Sequence, residues 1–142
     1  MQVLASSGVV VPDHELDGAI DWYCRWFGVQ LDYVTQHTDT ATGAITHKAR
    51  LIGEGGDVME VITAMPSRSA RGHLSIGYAT FGTDDVSRAY ERLYDAVEWF
   101  GAPRRMADST SVAGLDPWGN MVSLWRGVPV VTSGGSRGRD SR

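Results

Sequence analysis

Gly56-Asp-Val-Met-Glu-Val-Ile62 lies, without a gap, over Gly119-Asn-Met-Val-Ser-Leu-Trp125. Each is a glycine, a polar residue and then a β-rich run, which reads as a turn opening a strand. A second match precedes it in the same order: Glu15-Leu-Asp-Gly-Ala19 lies over Asp85-Val-Ser-Arg-Ala89. Two matches in one order indicate a duplicated unit.

The elements around these matches repeat the same plan. Val9–Val11, closed by Pro12, reads as a strand. In the run from Glu15 to Phe27, Leu16, Ala19, Ile20, Tyr23 and Phe27 fall at helical spacing, and Gly28 is a natural stop. Strands are expected over Val29–Thr35, Ala44–Ile52 and Asp57–Thr63, separated at Asp39, Gly43 and Gly53–Gly56. In the second half Leu74–Phe81 reads as a strand. A helix follows from Asp84 to Tyr94, with Val86, Ala89, Tyr90 and Leu93 on one face and Thr83 or Asp84 as N-cap. Strands near Arg104–Ala107, Ser109–Gly114 and Asn120–Trp125 complete it. The reading is β-α-β-β-β twice: a first module over 1–64, a linker over 65–71, a second module over 72–128, and a tail over 129–142 rich in Gly, Ser and Arg that is expected to be disordered.

Composition narrows the function. The 142 residues are 42% hydrophobic and 21% charged, ordinary for one globular domain. Cys24 is the only cysteine, so neither an internal disulfide nor a CxxC motif exists. The net charge of −4 opposes phosphate backbones, and the arginines 137, 139 and 142 fall in the tail, so no nucleic-acid partner is expected. No apolar run is long enough to span a membrane, and Met1–Leu4 lacks the basic start of a signal peptide; a soluble, cytoplasmic protein is expected. Lys48 is the sole lysine.

Two βαβββ modules with Asp116-Pro-Trp-Gly-Asn120 opening the last strand resemble the vicinal oxygen chelate superfamily of glyoxalases, bleomycin-resistance proteins and extradiol dioxygenases. Tyr78–Tyr90 is similar to that group's fifth-strand-to-helix segment, and Ala19–Gly28 to its first helix. The resemblance implies an α+β fold in which tandem modules form an open curved mixed sheet around a cleft, with helices outside. It also implies a homodimer. A scaffold shared by lyases, epimerases, dioxygenases and drug binders does not fix an activity.

The resemblance further implies where a metal would be held: a His at the start of strands one and five, a Glu or Gln near the end of strands four and eight. Here those positions read Gly8 or Ser7, Glu60, Tyr78 and Ser123. One carboxylate does not make a catalytic metal site, which generally takes three protein ligands. His73 is an alternative strand-five opening, but with Glu60 it makes only two. No metal or other cofactor is expected.

Glu60 alternates with apolar neighbours, so it is either a carboxylate paired with an arginine at the cleft mouth or a base or cation anchor inside it. Tyr78 is either a core tyrosine or a stacking donor in the cleft. Ser123 has no nucleophile-elbow context. Cys24, mid-helix, is expected buried and inert. His14, His37 and His47 read as loop or solvent residues. Of five tryptophans, Trp118 and Trp125 fall where the resemblance places the cleft wall. The first expectation is a metal-free binder holding an aromatic or amphipathic antibiotic or secondary metabolite through Trp118, Trp125, Ser123, Glu60 and Tyr78. The second is a metal-independent lyase, isomerase or cyclase with Glu60 as base and Tyr78 or His73 as acid. A ligand-free structural module is the third.

Overall fold

A computed structural model describes residues 1–64 and 77–127. Strand β1 (Gln2–Pro12) leads through a short 3-10 turn into helix α1 (Leu16–Phe27), followed by β2 (Gln30–Thr38), β3 (Ile45–Ile52) and β4 (Val58–Ala64). The second half runs β5 (Tyr78–Gly82), α2 (Val86–Arg92), β6 (Glu98–Trp99), β7 (Arg104–Met106), β8 (Ser109–Leu115) and β9 (Met121–Arg126). The expected stretch 74–76, His73, the linker and the tail from residue 128 lie outside the described residues.

The nine strands of the described residues form one open mixed sheet in the order β2-β3-β4-β1-β5-β9-β8-β6, with β7 also on β8. Each half has the same plan: β1 runs parallel to β4, and β5 parallel to β9. The halves join where β1 meets β5 antiparallel. This is the α+β arrangement of tandem βαβββ modules that the duplication implied.

Alternation sends one face of every central strand into a common core. Val9 and Val11, Ala49 and Leu51, Met59 and Val61, Ala79 and Phe81, and Val122 and Leu124 are all buried there with α1 and α2. Helix α1 contributes Ala19, Ile20, Tyr23 and Phe27, spaced to lie on one stripe. The Phe27 ring stacks on Phe81 at 4.3 Å, tying α1 to the second half. Burying each such ring stabilises the fold by roughly 1.5–3 kcal/mol. The helix ends where Gly28 turns left-handed (φ 70°) and donates its N–H to the Cys24 carbonyl, as a glycine at that position should.

One local expectation is corrected, and two features of the sheet were not foreseen. The N-cap of α2 is Asp85, whose carboxylate accepts from the Arg88 N–H at 3.0 Å, while Thr83 instead accepts from the Asp85 N–H. The two-residue strand β6 was not anticipated. Strand β2 is exposed along its whole length, because it is the sheet edge and carries no helix over its central residues.

Candidate functional site

The helices cover one face of the sheet, and among the described residues the other is open. Strand register sets a continuous row of residues across it: Tyr33, Arg50, Glu60, Gly8, Tyr78, Met121, Leu115 and Glu98 are successive ladder partners on β2, β3, β4, β1, β5, β9, β8 and β6. Period-2 alternation requires this, since the neighbours before and after most of these positions are the buried core residues.

Glu60 sits mid-row, half-exposed, and its carboxylate meets the Lys48 ammonium at 3.4 Å. Its partner is thus the chain's only lysine rather than an arginine. Arg50 lies beside it, its guanidinium 5.8 Å from the centre of the Tyr33 ring and its Nε 3.5 Å from Asp32 without closing a hydrogen bond. Tyr78, on the far side of Gly8, is 55% exposed, so it is a surface ring on the open face rather than a core tyrosine. A Cβ added at Gly8 would meet nothing within 4 Å among the described residues.

The register also decides between Ser7 and Gly8. Ser7 is buried, donating its hydroxyl to the Leu4 carbonyl and accepting the Thr80 N–H, both at 3.0 Å, which closes the irregularity in β1. Gly8 stands opposite Glu60. In the second half the residue opposite Ser123 is Thr80, not Tyr78, and the two hydroxyls are 3.3 Å apart.

The positions where the resemblance implied a metal thus hold Gly8, Glu60, Tyr78 and Ser123: one carboxylate, already ion-paired, one phenol, one hydroxyl and no side chain. That donor set does not fit a divalent metal. Among the described residues no three His, Cys, Asp or Glu side chains converge.

The tryptophans divide. Trp125 follows Ser123 on the open face and donates its indole N–H to the Ser123 hydroxyl at 3.2 Å. Trp118 is elsewhere: its ring meets Trp22 of α1 edge-on at 5.8 Å and its N–H reaches Glu15 at 3.3 Å, packing against the helix layer. The turn dictates that direction, because Asp116 accepts the Trp118 and Asn120 backbone N–H groups at 2.9 and 2.8 Å. Trp99 packs on Tyr90 and donates to the Leu93 carbonyl.

The remaining candidates are structural. Burial pushes the half-buried Cys24 thiol up, a bond from the Leu31 backbone working against this and the Asp21 charge adding to it, which leaves a poor nucleophile. His47 meets Asp13 at 3.1 Å, His14 lies by Glu15, and His37 is exposed on β2.

The sequence from residue 7 to residue 124 matches the model of the glyoxalase/bleomycin resistance protein/dioxygenase superfamily. None of the curated proteins matches the chain. Among solved structures, a glyoxalase family protein from Bacillus cereus is similar over 91% of this chain and 96% of its own, at 16% identity and a TM-score of 0.61. An antibiotic-binding protein from a Streptomyces species covers 90% and 99% at 20% identity and 0.55. A lactoylglutathione lyase from Agrobacterium tumefaciens covers 87% and 93% at 20% identity and 0.58. Identities this low show a common fold and no common activity. With the family match spanning most of its length and the paired βαβββ sheet beneath it, the chain belongs to the glyoxalase/bleomycin resistance protein/dioxygenase superfamily.

Proposed function

We propose that this protein is a metal-free binder of the glyoxalase/bleomycin-resistance type, sequestering an aromatic or amphipathic small molecule, an antibiotic or secondary metabolite, on the open sheet face. The observation that carries this reading is the row itself. It presents the Tyr33 and Tyr78 rings and Met121 around a short charged segment, Arg50 and Glu60, with Gly8 leaving a gap between Glu60 and Tyr78. Flat rings stack on such a surface, and a soft thioether adapts to their edges. The antibiotic-binding Streptomyces protein of the same fold supports it as an analogy.

The row is an open surface, and a small-molecule site normally buries most of its ligand. A second copy of the chain would supply the missing wall, so the proposal includes a homodimer. The exposed Tyr33, Tyr78 and Met121 of the row give such a partner apolar area to cover.

The rival reading, a metal-independent enzyme with Glu60 as base and Tyr78 or His73 as acid, draws support from Glu60 and Tyr78 flanking Gly8. Incubation with daunorubicin and with bleomycin, followed by chromatography, separates the two. A binder shows saturable tryptophan quenching and returns the compound unchanged, and Tyr78→Ala weakens binding about tenfold while leaving Tm in place. Conversion to a new species abolished by Glu60→Gln would favour the enzyme. Absence of binding to any planar aromatic compound would sink the proposal.

A further inference from the structure

A recess of about 540 Å³ opens at the end of β5, away from the row, between the start of β1, the helix α2 and the end of β9. That volume suits a small organic molecule. Leu4, Gly82 and Ala89 provide apolar lining and Trp125 an aromatic wall. Arg88 and Arg92, one helical turn apart on α2, line it together with Arg126 from β9.

The charges of this recess do not cancel. Of its carboxylates, Asp85 is occupied capping α2, and Glu54 faces the Met1 ammonium at 3.8 Å. With Asp84 the lining holds three carboxylates against three guanidinium groups and the Met1 ammonium, a net charge of +1. Among the described residues none of Arg88, Arg92 and Arg126 lies within ion-pairing distance of a carboxylate. Guanidinium groups without an ion-pair partner remain available to an incoming anion. Guanidinium forks match the planar oxygens of carboxylate, sulfonate or phosphate, and an indole face accepts a flat ring.

We propose that this recess is a second binding site, for a small aromatic anion: its acid group held by Arg88, Arg92 and Arg126, its ring against Trp125. The site is independent of the Tyr78 row, although Trp125 borders both through its bond to Ser123. Occupation here would reorient the indole and so be felt at Ser123.

The test uses the full chain and three probes: naphthalene-1-sulfonate, the uncharged 1-naphthalenemethanol, and inorganic sulfate. Naphthalene-1-sulfonate should quench tryptophan fluorescence saturably with one site per chain, and its affinity should fall with added salt. The alcohol and sulfate should each bind at least about tenfold more weakly. Arg88→Gln with Arg92→Gln, and separately Arg126→Gln, should each weaken sulfonate binding about tenfold; all three arginines are exposed, so Tm should hold. Arg88→Lys with Arg92→Lys keeps the charge and removes the forks, and should lose only part of the affinity. Tyr78→Ala should change nothing here, which separates this site from the row. Equal binding by the alcohol, wild-type affinity in the Gln variants, or loss of sulfonate binding in Tyr78→Ala would overturn the proposal.

Discussion

Tyr23 and Asp116, 93 residues apart, are joined by a buried 2.5 Å hydrogen bond from the phenol to the carboxylate. Asp116 also accepts from the Trp118 and Asn120 backbones and from the Asn120 side chain, so one nearly inaccessible carboxylate gathers a helix of the first half and a turn of the second. Charge-assisted bonds of this kind are what make a buried carboxylate tolerable.

This bond predicts an alkaline limb of stability. Burial, then the Asp116 charge and its hydrogen bond, hold the Tyr23 phenol well above its ordinary value. The folded state therefore binds that proton more tightly than the unfolded chain. The stabilisation is complete below the unfolded tyrosine's value, near pH 10, and is lost as pH rises from there toward the higher folded value. Tyr23→Phe should lower stability by roughly 1–3 kcal/mol at pH 7 and flatten the decline above about pH 10. Urea unfolding from pH 7 to 11 measures both; parallel curves for the two proteins would refute the assignment.

Asn120 is a clamp between the halves. Its side chain accepts the Val10 N–H at 2.8 Å and donates to the Val10 carbonyl at 3.0 Å, mimicking a strand partner where β1 passes the last turn. Asn120→Ala should cost roughly 2–4 kcal/mol, since Val10 loses both partners and Asp116 one. Hydrogen exchange at the Val10 amide should accelerate with it.

Gly114 faces the short strand β6 so closely that a Cβ there would sit 2.6 Å from the Glu98 carbonyl and 2.8 Å from the Trp99 Cα. Both are backbone atoms and cannot swing aside. Gly114→Ala should therefore destabilise by about 1–3 kcal/mol and detach β6 from β8. A Tm equal to wild type would show that β6 yields freely.

Trp118 and Trp125 should behave oppositely. Trp118→Ala removes packing against Trp22 and should cost roughly 1–3 kcal/mol of stability, with ligand affinity intact. Trp125→Ala should leave Tm nearly unchanged and weaken aromatic ligands by about tenfold. Thermal melts paired with fluorescence titrations decide it.

The proposed dimer predicts twice the 15.4 kDa chain mass at micromolar concentration. Lysine at Tyr33, about half exposed in one chain, should leave the monomer folded and dissociate the pair. Light scattering that gives a monomer for wild type rejects this part of the reading.

The architecture was legible because duplication leaves two independent marks, alternation within strands and order between them. Helix α1 announced itself through the stripe from Ala19 to Phe27 and its closing Gly28, and the last turn through Asp116 and Asn120. The direction of Trp118 was not legible: it depends on which backbone groups Asp116 gathers, a contact geometry with no periodic signature. The contact of Thr80 with Ser123 was hidden for a related reason, since strand register is fixed by partners across the sheet and not by distance from the following helix. Strand β2 alternates as a half-buried strand should, and nothing local records that it lies at the edge. The recess at Arg88, Arg92 and Arg126 has no motif at all, because its walls come from three separate elements.

Gly8 has a meaning for how such a scaffold acquires new chemistry. It is a blank in the row, with open space among the described residues where a Cβ would stand and a carboxylate, Glu60, directly across the ladder. Writing imidazoles at positions 8 and 78 would set three oxygen and nitrogen donors on the adjacent strands β4, β1 and β5 without disturbing the core behind them. Lys48 would then compete with the metal for Glu60 and would have to give way. The distance between a protein that holds a molecule and one that transforms it is here a matter of three side chains on an already finished sheet.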